Sequence, residues 1–135
     1  MFSGVDNRES ERKDYGVTLT DLSEREYFVL FAKRTGMYIG DTSLRGTMAF
    51  LAGYEQAARR YGGPGLDGWR EWLMAHHQVS SNLVWEAQVM QIAFPGWDGG
   101  WDLTTEREDH ALKLLFELLD KFLTEREEAA SGAQQ

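Results

Sequence analysis

Cysteine is absent from this 135-residue chain, and proline occurs only twice. Without thiols there is no disulfide, no thiolate nucleophile and no cysteine-ligated zinc, a composition that agrees with a cytoplasmic setting. Cations are scarce as well: 14 Lys and Arg face 22 Asp and Glu, for a formal net charge of −8. A phosphate-backbone binder needs clustered Lys and Arg, so nucleic acid is not an expected partner. Arg59, Arg60 and Arg70 are too few for such a footprint, and the first two suit the end of a helix. No apolar run reaches the roughly 18 residues of a membrane span. The polar start, MFSGVDNRESERKDYG, has no apolar signal core. The expectation is a cytoplasmic protein that meets neither membrane nor nucleic acid.

What the chain does have is apolar bulk. Hydrophobic residues make up 42% and aromatics 13%, enough for one domain with a substantial core. Residues 1–17 combine low hydrophobicity with mixed charge and no period, and read as a flexible leader. Residues 129–135, AASGAQQ, read as a disordered tail. Between them, over 18–128, the spacing of apolar residues predicts five helices. The first covers 24–34, opened by a capping box from Ser23 to Glu26. The second covers 44–61, with Ser43 as N-cap and Leu44, Met48, Leu51 and Ala58 on one face; Gly62-Gly63-Pro64-Gly65 stops it. The third covers 67–77, with Asp67 as N-cap and Trp69, Trp72, Leu73 and His76 along it. The fourth covers 82–93, starting at Ser80 or Ser81 and ending before Pro95, although Val84, Trp85 and Val89 leave a strand open. The fifth covers 106–128, with a second capping box from Thr105 to Glu108 and a stripe of Ala111, Leu114, Leu115, Leu118 and Phe122. The fold class expected is all-α: a single-domain bundle of about five helices with irregular loops.

One connector stands apart. KRTGMYIGDTS, residues 33–43, packs two glycines, a methionine and a tyrosine between two helical patterns. Lys33, Arg34, Gly36, Met37, Tyr38, Ile39, Gly40, Asp41 and Thr42 resemble a K-R-P-G-M-Y-I-G-D-T run in the gyrase B subunit and related GHKL-type ATPases, with Thr35 in place of the proline. That resemblance spans about ten residues and implies a piece of an ATP site. The helix that follows, LRGTMAFLAGYEQAARR, offers Glu55 but no D-N-x-x-D/E arrangement, and no D-x-G-x-G comes after it. Nucleotide hydrolysis is therefore not the expectation. As local structure, Gly36 would cap the first helix, Met37 to Ile39 would run extended, and Gly40 and Asp41 would turn the chain towards Ser43.

A wider resemblance joins this connector to SLRGTMAFLAGYE at 43–55, WREWL at 69–73 and ELLDKFL at 117–123. Their order is similar to that in a group of small bacterial proteins akin to the immunity proteins of polymorphic toxins. The resemblance implies a toxin-blocking protein whose partner is a basic toxin domain.

The residues themselves indicate no catalytic group, cofactor or metal. His76 and His77 are adjacent, so on a helix they point about 100° apart. His110 is distant in sequence, and neither H-E-x-x-H nor G-x-S-x-G occurs. Trp69, Trp72 and Trp85 belong on helical faces as core. Trp97 and Trp101 lie in the loop PGWDGGWDL beside Asp98 and Asp102. They either anchor a partner or fold back over one end of the bundle; aromatic anchors ringed by carboxylates suit a cationic partner. The expected partner-binding residues are Trp97, Asp98, Trp101 and Asp102, with Tyr38 as a further contact. Two alternatives stay open: a small enzyme or degenerate nucleotide-binding fragment using Asp41, Glu55 and a histidine, and a structural or regulatory partner protein.

Overall fold

Ser23 does what its spacing from Glu26 predicts. Its hydroxyl accepts the Glu26 N–H at 3.1 Å and the Glu26 carboxylate accepts the Ser23 N–H at 2.9 Å. This closes the capping box of α1, Glu24–Lys33. The structure, a computed structural model, describes residues 21–40 and 42–133; the expected leader at 1–17 lies outside them. After α1 come α2 (Thr35–Ile39), α3 (Leu44–Tyr61), α4 (Trp69–His77), α5 (Trp85–Ala93) and α6 (Thr105–Ala133), with no strand among the described residues. The protein is an all-α single-domain bundle with irregular connections. Among the described residues no helix is long and apolar enough to cross a membrane.

α6 organises the bundle. Ala111, Leu115, Leu118, Leu119, Phe122 and Leu123 are all buried, and steps of three, four and one residues keep them on one helical face. That face meets α1, α3, α4 and α5. Phe28 and Phe31 from α1, Met48 and Leu51 from α3, Trp69 and Leu73 from α4, and Val89 and Met90 from α5 complete one core. Each large apolar side chain taken out of water contributes about 1.5–3 kcal/mol, so this stripe carries most of the drive to fold. Polar ties from α6 then fix its neighbours. Asp120 pairs with Arg25 at 2.9 Å, and Arg126 donates to the carbonyls of Gly65 at 3.0 Å and Asp67 at 3.1 Å.

Several helix ends depart from the expectation, each for a tertiary or backbone reason. Gly36 does not cap the first helix, and Met37 to Ile39 are not extended. The chain breaks at Arg34 (φ −132°) and re-enters a helical turn, α2, which ends on Gly40 at φ +85°. The left-handed residue is thus Gly40, where glycine costs least. The Thr105–Glu108 box does not form. Thr104 accepts the Arg107 N–H at 3.2 Å instead, and the Glu108 carboxylate crosses to the Leu44 N–H at 2.8 Å. There it helps Ser43, whose hydroxyl accepts from Gly46 at 3.0 Å, to satisfy the orphan donors of α3.

Asp67 does not cap α4. Residues 65–68 form a turn, Gly68 sits before the helix at φ +89°, and no side chain caps it. Gly65 in that turn has φ +46°, and an added Cβ would lie 2.7 Å from the Ala58 Cβ; only glycine lets the turn close on α3. α5 starts at Trp85, not at 82, because Ser80 is used earlier: its hydroxyl accepts the Asn82 N–H at 3.2 Å, and its carbonyl accepts the Gln88 Nε2–H at 2.9 Å. The strand alternative gives way to helix, with Val89 and Met90 fully buried. α6 runs to Ala133, past the expected end at 128.

Candidate functional site

The loop between α5 and α6 is built by its own residues. The Trp97 N–H donates to the Phe94 carbonyl at 2.8 Å and turns the chain at the end of α5. The Trp97 indole N–H donates to the Gly100 carbonyl at 2.8 Å, and Asp98 Oδ1 accepts the Gly100 N–H at 2.9 Å. The two indoles meet edge to face with centroids 5.5 Å apart, a geometry their ring quadrupoles favour. Both are half-buried against the core. Asp98, Gly99, Gly100 and Asp102 are exposed, as are Pro95, Gly96 and Thr104. The tryptophans thus act as the loop's foundation, and the carboxylates are what it shows to solvent.

Two residues of this site were not singled out from the sequence. The Arg45 guanidinium lies 5.5 Å from the centre of the Trp101 ring, a cation–π contact. Glu86 joins Arg45, Met48, Ala49 and Trp101 around a depression of about 310 Å³. A signal for Arg45 did exist: a cation in the first turn of a helix opposes the helix dipole, which hints at a partner elsewhere. Beyond the loop the acidic character continues. Residues 95–110 hold five carboxylates against one arginine, and that one, Arg107, lies 4.1 Å over the Phe94 ring.

Tyr38 occupies another neighbourhood. It is half-buried, with its ring 5.7 Å from Tyr27, 5.3 Å from Phe31 and 6.4 Å from Phe50. It pins α2 to α1 and α3. Tyr27 stacks on Tyr54 at 5.6 Å, and the Tyr54 hydroxyl donates to the Glu24 carboxylate. Burial first, then that hydrogen bond and the Glu24 charge, push the Tyr54 phenol above its ordinary range. Burial and Tyr38 push Tyr27 the same way. A phenol whose folded pKa is raised contributes stability in full below about pH 10, its unfolded value, and loses it as pH climbs from there towards the folded value. Urea midpoints are therefore expected to fall above about pH 10 in the wild type. They should fall less steeply in Tyr54→Phe, and equal slopes for the two proteins would contradict this account.

Glu55 does not meet a histidine. It lines a pocket of about 300 Å³ with Arg59, Leu66, Trp69, Arg70 and Trp85 among its neighbours. Both its oxygens are engaged, one accepting the Leu66 N–H at 2.5 Å and the other pairing with Arg59 at 2.9 Å. Asp41 lies outside the described residues. His76 stacks on Trp72 at 4.5 Å and approaches Glu125 at 3.6 Å. Beside it, burial, His76 and Lys121 lower the pKa of His77. His110 Nε2 sits 3.2 Å from the Ala93 carbonyl, at the end of α5. Among the described residues no group of three or more His, Asp or Glu side chains is arranged to hold a metal ion.

Compared with protein-family models, with curated proteins and with solved structures, the chain matches none.

Proposed function

We propose that the protein is a non-catalytic protein-binding domain whose contact surface is the loop carrying Trp97, Asp98, Trp101 and Asp102, and whose partner is a basic protein. The observation that supports this reading is the loop's internal bonding. Two hydrogen bonds and an indole–indole contact hold its tip, so binding would cost little ordering entropy. The exposed carboxylates at that tip continue into the acidic start of α6. A cationic partner would be steered to this end of the bundle, and the contact would weaken with salt. The finer form of the proposal is an immunity protein that blocks a cognate toxin, with Asp98 and Asp102 set against a basic cleft. The resemblance of four segments to immunity-like proteins motivates it.

The test uses affinity capture from the source cell, followed by binding measurements on the protein retained. Asp98→Asn/Asp102→Asn removes two charges but leaves a side-chain oxygen at position 98 to accept the Gly100 N–H, so the loop keeps its shape. This double variant is expected to bind a basic partner at least about tenfold more weakly at low salt, with a smaller dependence on salt. Trp97→Ala/Trp101→Ala is expected to abolish capture by releasing the loop from the bundle. A partner held equally well by both double variants would sink the loop as the contact surface.

A further inference from the structure

Where α1 meets α6, a groove of about 420 Å³ opens on the side of the bundle. Phe28, Val29 and Ala32 form one wall, and Phe116 and Leu119 the other. The helices run antiparallel here: Arg25 meets Asp120 at 2.9 Å, and farther along Phe31 meets Phe116 with rings 5.7 Å apart. Lys33 and Lys113 therefore share one end of the groove, while Glu117 and Asp120 lie towards the other. Lys33, Lys113 and Glu117 are exposed. No ion pair among the described residues engages any of the three.

We propose that this groove is a self-association face, occupied by the same groove of a second copy in a two-fold dimer. Its charge layout chooses that occupant. In a two-fold interface every contact is made twice with the roles exchanged, so a surface must complement itself when reversed. An apolar centre with two cations at one end and Glu117 towards the other, all three unpaired among the described residues, meets that condition; Asp120 is already held by Arg25. Lys113 and Glu117 stand one turn apart, about 6 Å along α6. A two-fold axis passing between them lays the two α6 helices antiparallel and sets each Lys113 against the partner's Glu117. The same operation brings each Lys33 towards the partner's acidic end and covers Val29, Ala32 and Phe116 in the middle. A uniformly basic or uniformly acidic partner would match one end and be repelled at the other. The face is separate from the Trp97–Asp102 loop and does not depend on the function proposed for it.

Sedimentation equilibrium over a wide concentration range tests the proposal. The wild-type mass is expected to rise from 15.4 kDa towards twice that value, and less readily in high salt. Lys113→Glu and Glu117→Lys should each raise the dimer dissociation constant at least about tenfold. The double reversal Lys113→Glu/Glu117→Lys should restore dimers, and mixing the two single variants should give heterodimers. Both positions are exposed on a long helix, and circular dichroism with thermal unfolding confirms that each variant is folded. Three results would overturn the proposal: a wild type that stays monomeric throughout, a dimer indifferent to the reversals, or a monomer that dimerises only once residues 1–20 are removed. The last would show the chain's own N-terminal segment covering the groove.

Discussion

Trp69→Ala is expected to lower the free energy of unfolding by about 3–5 kcal/mol, whereas Trp69→Phe should lose about 1–2 kcal/mol. Trp69 is 2% exposed. Its ring meets Trp85 at 6.0 Å, Phe122 at 5.5 Å and Trp72 at 6.1 Å, so it fills the space where α4, α5 and α6 converge. Alanine would leave a cavity that three helices cannot close together. Phenylalanine keeps most of the ring contacts and removes a liability, because the indole Nε1–H is buried without a hydrogen-bond partner. A buried donor left unpaired costs about 1–3 kcal/mol, which offsets part of the lost volume. The alanine change would remove from about a fifth to nearly all of a total stability of about 5–15 kcal/mol. Urea denaturation of the two variants beside the wild type checks the prediction. Equal losses would contradict the prediction, because neither the retained ring volume nor the removal of the unpaired N–H would then bring any gain.

The legible part of the fold is the part set by local spacing. Ala111, Leu115, Leu118 and Phe122 mark the face of α6 that becomes the core, and Ser23 and Glu26 mark the start of α1. What fails are caps whose side chains have a better partner across the fold. Glu108 has the right spacing for Thr105, yet it serves Leu44, 64 residues away in sequence. No local pattern encodes that choice, because it depends on where α3 ends up. The connector at 33–43 fails for a different reason. Its sequence suggests an extended path through Tyr38 and Ile39, but Tyr38 has Phe31, Tyr27 and Phe50 to pack against. Those contacts favour a helical turn over a strand-like path. Propensity is a weak prior when such packing is available.

The candidate site is legible as composition but not as geometry. Two tryptophans and two aspartates around paired glycines stand out in the sequence, and their order along the chain keeps them close. Which part faces solvent is not written there. The indoles turn inward because Trp97 can satisfy its own N–H on Gly100 and Trp101 can accept Arg45 on its face. A buried indole N–H needs an acceptor, which Trp97 has on Gly100; Trp101 gains instead a cation on its ring face. With a partner for each ring, burial brings little penalty, and the carboxylates are left outside.

Phe31→Ala is the second change expected to cost about 3–5 kcal/mol, and it should also act locally on α2. Phe31 has no exposed surface. Its ring stacks on Phe50 at 4.6 Å and meets Tyr38 at 5.3 Å, Phe116 at 5.7 Å and Phe28 at 6.1 Å, so one side chain joins α1, α2, α3 and α6. α2 has five residues, too few to hold a helical turn without tertiary support. Besides Tyr38 and Ile39, which pack against the core, it is anchored by Thr35, whose hydroxyl donates to the Phe31 carbonyl at 2.9 Å. That bond survives the substitution because it uses the backbone. Removing the ring therefore isolates one contribution: the hydroxyl anchor and the contacts of Tyr38 with Tyr27 and Phe50 stay while the contact with Phe31 goes. The Gly40 N–H, bonded to the Gly36 carbonyl at 2.9 Å, is the reporter. In Phe31→Ala its hydrogen exchange should speed up by more than the loss of global stability explains, while amides in α6 should follow global unfolding. If Gly40 and α6 amides accelerate in step, the anchors that survive, Thr35 and the contacts of Tyr38 with Tyr27 and Phe50, suffice to hold α2, and the aromatic contact between Phe31 and Tyr38 is not what keeps the connector helical.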